Sequence, residues 1–242
     1  MRIGIMARTD KREAIEVSKK VIQTLTDHIL FLDDELLKYL KGEKIKNVDC
    51  LIVIGGDGMI LRAMRKYGKP TIGVRIAKHG FLCELSPNEI PKLKKILSDH
   101  TVEKRTKLSV ENFGEALNEM VVRSKSPTKV ASLVVEYGDK KEEIVGDGVI
   151  VSTPTGSTAY SYAAGGPVVD KDSKVFLITP LCSFLRRNPV RVVPDHLRIK
   201  ITLRDKICSL AMDGEYIKDV VAGDSILVLK SENHAEFWRK KR

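Results

Sequence analysis

Residues 51–58 read Leu51-Ile52-Val53-Ile54-Gly55-Gly56-Asp57-Gly58, an apolar run entering a glycine turn, and Met59 to Lys66 behind it have a helical pattern. A short unbroken apolar run bounded by glycine fits a strand buried on both faces, the kind found in parallel sheets covered by helices. In open α/β sheets ligands bind beyond the carboxyl ends of the strands. Glycines there let the main chain approach a phosphate, and the helix that follows presents free N–H groups to an anion. Asp57 stands in that mouth. A carboxylate does not bind phosphate directly, so its expected role is to accept a proton from an attacking hydroxyl or to hold a metal ion that bridges phosphates. A tight turn carrying a solvated aspartate is the plain structural alternative. The turn is neither the dinucleotide fingerprint G-x-G-x-x-G nor a P-loop, because no lysine and hydroxyl pair follows at the required spacing.

The pattern extends outward from this turn. Arg2 to Met6, Ile29 to Leu32 and Thr71 to Val74 read as further buried strands. Between the first two, Asp10 and Glu13 suggest a capping box before a helix with apolar positions Ala14, Val17, Val21 and Leu25. Ser86-Pro87-Asn88-Glu89 is a second helix start, with the helix expected to run to about Leu97. Strands alternating with helices imply an α/β domain with a mostly parallel sheet over residues 1–99.

Near residue 100 the texture changes. β-Branched residues alternate with polar ones, and turn signals such as Tyr137-Gly138-Asp139 and Arg204-Asp205-Lys206 separate short segments, which predicts an antiparallel β domain. Ala116 to Val122 reads as one strand, with Asn118 and Glu119 on opposite faces. The stretch Gly146-Asp147-Gly148 to Ser152-Thr153-Pro154-Thr155-Gly156-Ser157-Thr158-Ala159-Tyr160, closing on Ala164-Gly165-Gly166-Pro167, differs from its surroundings. A strand ends there in small hydroxyl residues, and Thr155-Gly156-Ser157 can cap a short helix carrying Tyr160. Such a surface offers many donors and little bulk, which suits a ribose or a pyrophosphate. No internal repeat or low-complexity linker marks a boundary.

Composition narrows the class. With 43% hydrophobic and 31% charged residues the 242-residue chain has enough apolar content to build packed cores. The net charge of +10 is compatible with nucleic acid, a membrane surface or phosphate-rich ligands. Its basic residues are scattered in short groups (Lys92, Lys94, Lys95; Lys104, Arg105, Lys107; Arg186, Arg187), so neither nucleic acid nor membrane is expected as a partner. The run Arg239-Lys240-Lys241-Arg242 reads as a frayed, solvated terminus. Cys50, Cys83, Cys182 and Cys208 lie far apart without a C-x-x-C pair, so no zinc site or redox motif is suggested. The first residues are apolar for too short a run to be a signal peptide, and a cytoplasmic location is expected.

Taken together, the G-G-D-G turn at 55–58, the Asn118-Glu119 pair, the run from Asp147 to Tyr160 and the Ala164 to Pro167 close resemble, in this order, the NAD kinase family. The resemblance spans Arg2 to about Leu229. Its long third motif is close to specific, whereas G-G-D-G also occurs in diacylglycerol, sphingosine and phosphofructokinases. It implies a Rossmann-like α/β domain (1–99), a β-rich, sandwich-like domain (100–224) and a segment, 225–242, returning toward the first domain. The implied activity is transfer of a phosphoryl group from ATP or polyphosphate to the 2′-hydroxyl of the adenosine ribose of NAD, with Mg²⁺ or another divalent metal ion as cofactor. By the same resemblance Asp57 is the general base. Gly58, Arg62, Phe81, Asn118, Glu119, Lys129, Asp147, Thr155, Thr158, Ala159, Tyr160, Ser161 and Ala163 are ligand contacts, and a homodimer or homotetramer is implied. Met59, Arg75 and Ala163 stand where threonine, asparagine and serine are usual. Thr179-Pro180-Leu181 lacks the usual P-H pair, and Met212-Asp213-Gly214-Glu215 carries glutamate for glutamine. A lipid or sugar kinase sharing only the G-G-D-G half, and a non-catalytic NAD-binding protein, are the alternative readings.

Overall fold

A computed structural model describes residues 1–78, 80–184 and 188–241; Arg186, Arg187 and Arg242 of the basic groups lie outside the described residues. The chain divides into two units, one formed by Met1–Lys104 with Ala235–Arg242, the other by Arg105–His234.

The first unit is built from β1 (Arg2–Ala7), α1 (Arg12–Thr24), β2 (Ile29–Leu32), α2 (Asp34–Leu37), β3 (Glu43–Lys44), β4 (Cys50–Gly55), α3 (Asp57–Tyr67), β5 (Thr71–Arg75), a 3₁₀ segment Pro87–Lys92 and α4 (Leu93–Ser98). Its strands lie in the order β5-β4-β1-β2-β3, every pair parallel. The whole of β4 is buried, as its unbroken apolar run predicts. Ala14, Val17 and Val21 of α1 are buried against Ile3, Ile5, Ile52 and Ile54 in one apolar cluster, each contributing about 1.5–3 kcal/mol by leaving water.

Several local expectations change. The capping box at Asp10 and Glu13 does not form: the N-cap is Lys11, without a side-chain bond, because Arg8 takes the Asp10 carboxylate at 2.9 Å. At Ser86 and Glu89 the box does form, with the Ser86 N–H donating to Glu89 at 3.1 Å, but it opens the 3₁₀ segment, in which Pro91 lacks an N–H, before α4 begins. The short elements α2 and β3 carry too little periodicity to be read from sequence. The basic terminus is not frayed: Phe237 is fully buried and pairs in parallel register with Thr71, and Arg239 is 13% exposed.

The second unit contains β6 (His100–Val110, from Arg105 onward), β7 (Gly114–Ala116), β8 (Glu119–Ser124), β9 (Ala131–Tyr137), β10 (Lys140–Gly146), β11 (Gly148–Ser152), a 3₁₀ turn Gly156–Thr158 and α5 (Tyr160–Ala163). It continues with β12 (Val175–Leu181), β13 (Arg191–Pro194), β14 (Ile199–Leu203), β15 (Cys208–Met212), β16 (Glu215–Val220) and the first part of β17 (Ser225–Lys240). One sheet holds β10-β9-β14-β17 with β6 and β7 beside β17, and the other runs β13-β12-β11-β8-β15-β16. The ladders within both are antiparallel. Leu133, Val135, Ile201 and Val228 of the first sheet share a single buried cluster with Met120, Val122, Val151 and Phe176 of the second. Among the described residues no helix is long and apolar enough to cross a membrane.

Candidate functional site

In the first unit, β4 ends at Gly55, Gly56 caps α3 with an extended backbone, and Asp57 is the first residue of the helix. The helix therefore starts two residues earlier than its apolar pattern suggests, and the Asp57 carboxylate sits at the positive end of the helix dipole. Both its oxygens are held. The Phe81 N–H donates to Oδ2 at 2.8 Å and the Leu82 N–H to Oδ1 at 3.0 Å. Gly80 permits this approach, because a Cβ there would stand 3.0 Å from Asp57 Oδ1. The Phe81 ring is 77% exposed. Gly58 is exposed, with space around its Cα, and Arg62 lies along the same helix. Arg62 lines a cavity of about 270 Å³ at the carboxyl end of β1, with Arg8, Thr9, Met59, Asp33 and Glu35.

In the second unit, the expected single strand across Asn118 and Glu119 is broken into β7 and β8. The cause lies at the β15–β16 turn, where Asp213 accepts the N–H groups of Leu117 at 2.9 Å and Asn118 at 2.7 Å, and that of Glu119 at 3.3 Å. Asn118 is therefore in the connection and half-buried, and the two side chains do not occupy opposite faces of one strand. The same connection is tied to the loop after β11. Thr153 donates its N–H to Asn118 O at 2.9 Å and its hydroxyl to Leu117 O at 2.5 Å, while its Oγ1 accepts the Gly156 N–H at 3.1 Å. Two motifs separated in sequence thus form one piece of structure.

Glu119 is buried, 5% exposed, and its Oε2 has no hydrogen-bond partner among the described residues. Burial pushes its carboxyl up to about 7, the Asp213 charge adds to this, and the Tyr160 N–H opposes it. Thr155 is 9% exposed, and its Oγ1 faces Arg105 Nη1 at 3.5 Å. Thr158, Tyr160 and Ala163 are exposed and Ala159 half-buried on the 3₁₀ turn and α5. The expected side-chain cap at Thr155 to Ser157 is absent; Ser157 instead donates to Pro154 O at 2.7 Å. Ser161 differs from its neighbours, being fully buried with its hydroxyl 2.8 Å from Thr179 Oγ1, so it braces α5 from beneath.

Asp147 and Lys129 do not join this group. β8 and β11 pair with Glu119 opposite Ser152 and Arg123 opposite Gly148, so Asp147 lies a strand length away, roughly 13–16 Å at about 3.3 Å per residue. Ser124 ties the two to each other, donating its N–H to Asp147 O and its hydroxyl to Lys129 O, each at 2.8 Å. Asp213 is not among the predicted site residues; the sequence marks it only as part of the Met212 to Glu215 stretch, and its partners lie about a hundred residues away in sequence.

The comparisons with known proteins agree across the chain. The family described as ATP-NAD kinase N-terminal domain matches residues 33–102, and that described as ATP-NAD kinase C-terminal domain matches residues 117–240. An NAD kinase of Methanothermobacter thermautotrophicus is 38% identical over 259 residues, covering 99% of this chain and 92% of its own. The crystal structure of an NAD kinase from Archaeoglobus fulgidus in complex with ATP has a TM-score of 0.84 at 27% identity, covering 100% of this chain and 94% of that one. Yeast NADH kinase complexed with NADH shares the fold, with a TM-score of 0.89 at 21% identity over 100% of this chain and 84% of that one.

Proposed function

This chain belongs to the NAD kinase family, and from that premise we propose that it transfers a phosphoryl group from ATP, or from polyphosphate, to the 2′-hydroxyl of the adenosine ribose of NAD, giving NADP. The observation that carries this reading is the Asp57 carboxylate, set at the start of α3 beyond the carboxyl end of β4 and aimed by the N–H groups of Phe81 and Leu82. A ribose hydroxyl is a weak acid, so in-line attack on a phosphoryl group gains from a fixed carboxylate that takes its proton. Such assistance is worth about 10²–10⁴ in rate.

Within the second unit Asn118, Glu119, Thr155, Thr158, Ala159, Tyr160 and Ala163 are assigned as dinucleotide contacts, with Ser161 supporting that surface; within the first unit Gly58, Arg62 and Phe81, beside Asp57, are assigned as ligand contacts. Asp147 and Lys129, which lie a strand length from Glu119, are assigned to NAD on the family resemblance alone, as are the homodimer or homotetramer. The parallel order β5-β4-β1-β2-β3 fits a Rossmann-like first domain, and the shared core of two antiparallel sheets a sandwich-like second one. Four free cysteines suit a reducing cytoplasm.

Among the described residues no group of three or more His, Cys, Asp or Glu side chains is arranged to hold a metal ion. The proposed divalent ion, Mg²⁺ by the family resemblance, would bind mainly through the substrate phosphates. The ion, when bound, would neutralise charge on the transferring phosphoryl group, while Asp57 takes the hydroxyl proton.

An assay for NADP formation with ATP and Mg²⁺ tests the reading. Wild-type chain is expected to form NADP and Asp57→Asn to lose about 10²–10⁴ in kcat. Equal rates for the two would remove the general base, and NAD binding without NADP formation would leave a non-catalytic NAD-binding protein.

A further inference from the structure

Arg239 lies near the end of β17, among residues whose basic composition suggests only a solvated tail, yet its side chain is 13% exposed and fully engaged. Nη1 donates to the carbonyl of Leu82 at 2.8 Å and faces Glu84 Oε2 at 3.5 Å, and Nε donates to Glu103 Oε2 at 3.2 Å. The guanidinium carbon sits 4.7 Å from the centre of the Phe237 ring. The main chain makes a parallel attachment, the Lys240 N–H donating to Glu84 Oε1 at 2.9 Å. Glu84 and Leu85 are themselves bonded through their N–H groups to Gly73 O of β5 at 2.9 and 3.0 Å. Leu82 is thus bridged: its carbonyl accepts Arg239 while its N–H donates to Asp57 Oδ1 at 3.0 Å.

We propose that Arg239 is a positioning residue for Asp57, acting through the loop of residues 80–85. Phe81 and Leu82 lie in a bend outside helix and strand, so no helix or ladder bond fixes the direction of their N–H groups. The planar guanidinium fork supplies that direction, joining the Leu82 carbonyl to Glu103 and Glu84 in one arrangement, which the single compact donor of lysine does not reproduce. The terminal strand around it is anchored independently. Phe237 is buried, Trp238 stacks on His100 at 4.0 Å, and Lys241 pairs with Asp99 at 2.9 Å. Losing the Arg239 side chain therefore frees the Leu82 carbonyl while the strand, and Glu84 and Leu85 beside it, stay in place.

The proposal rests on Asp57 as the general base, and its test separates the two ideas. Arg239→Met, Arg239→Lys, Asp57→Asn and the Arg239→Met/Asp57→Asn pair are assayed for NADP formation in the full chain, each with its thermal unfolding. Folded Arg239→Met is expected to lose about tenfold to a hundredfold in kcat with KM for NAD within about threefold of wild type. Arg239→Lys is expected to recover part of the loss. The double variant is expected to be no slower than Asp57→Asn, because an effect exerted through Asp57 vanishes with it. Folded Arg239→Met with kcat within about twofold of wild type, or additive losses in the double variant, overturns the proposal. Asp57→Asn at wild-type rate defeats the general base and the proposal together, whereas an inactive Asp57→Asn beside a fully active Arg239→Met defeats the proposal alone. Should Arg239→Met fail to fold, Arg239→Lys carries the test: about a fivefold loss in kcat at unchanged KM supports it, and wild-type kcat overturns it.

Discussion

The carboxylate of Asp213 accepts the main-chain N–H of Asn118 at 2.7 Å, across 95 positions of sequence. With its bonds to Leu117 and Glu119 it breaks what would be a continuous strand and turns Asn118 and Glu119 into the rim of the candidate site. Asp213 itself sits at a φ of 49°, in the left-handed region that an Asp-Gly hairpin turn uses.

Asp213→Ala leaves these N–H groups without their acceptor. Each unsatisfied buried donor costs about 1–3 kcal/mol, so a loss of roughly 2–4 kcal/mol in urea unfolding is expected, with weaker NAD binding by calorimetry. Unchanged stability and affinity would show that water replaces the carboxylate at no cost.

Gly156→Ala places a methyl 2.2 Å from Asn118 O and 2.5 Å from its carbonyl carbon, main-chain atoms that cannot swing aside. Separation of the loop from the Asn118 connection is expected to destabilise the protein by about 3 kcal/mol and to weaken NAD binding at least about tenfold. A variant that binds NAD like wild type would show that the two motifs need not touch.

Glu119 gives stability a pH dependence. Its folded carboxyl is pushed up to about 7 by burial, the Asp213 charge adding, from an ordinary value of 4.5. The folded state therefore holds the proton more tightly than the unfolded state, so this contribution is intact below about pH 4.5 and is lost as pH rises through about 7. Glu119→Gln carries no such titration. Its stability relative to wild type is expected to rise by on the order of 2–3 kcal/mol between pH 4 and pH 8 in denaturant melts; a difference constant with pH would mean that folding leaves the Glu119 carboxyl unshifted.

Asp33 acts in the opposite sense. Burial alone would raise it, but bonds from Lys66 and Tyr67 and the Glu35 N–H outweigh burial and hold its carboxyl below the ordinary value of 3.8. Its stabilisation is present above that value and disappears as pH falls through the lower folded one. Asp33→Asn leaves Lys66 without a full partner and is expected to cost about 3 kcal/mol at pH 7, the gap to wild type closing in strong acid. A gap that persists at low pH would assign the loss to packing.

Four of the parallel strands and most helices were legible in the sequence because periodicity is a local property: β4 is buried throughout and α1 buries Ala14, Val17 and Val21 as their spacing requires. The glycine turn and the long hydroxyl-rich loop were legible for the same reason, since each is a contiguous run whose small residues leave room for a ligand. Local cues failed wherever a distant group competed for them. Arg8 took the Asp10 carboxylate from its cap, Thr179 drew the Ser161 hydroxyl into the core, and Asp213 cut a strand whose own residues favour continuing. Strand register alone sets Asp147 and Lys129 a strand length from Glu119, and only the folded path of β17 turns Arg239 from an apparent tail residue into a support for the loop that aims Asp57. Sequence by itself determined most of the segments that become strands and helices and where small residues cluster at their ends, because those depend on neighbours along the chain. Tertiary structure decided which polar groups remain free to act, because each hydrogen bond goes to the partner nearest in space, whatever its distance in sequence.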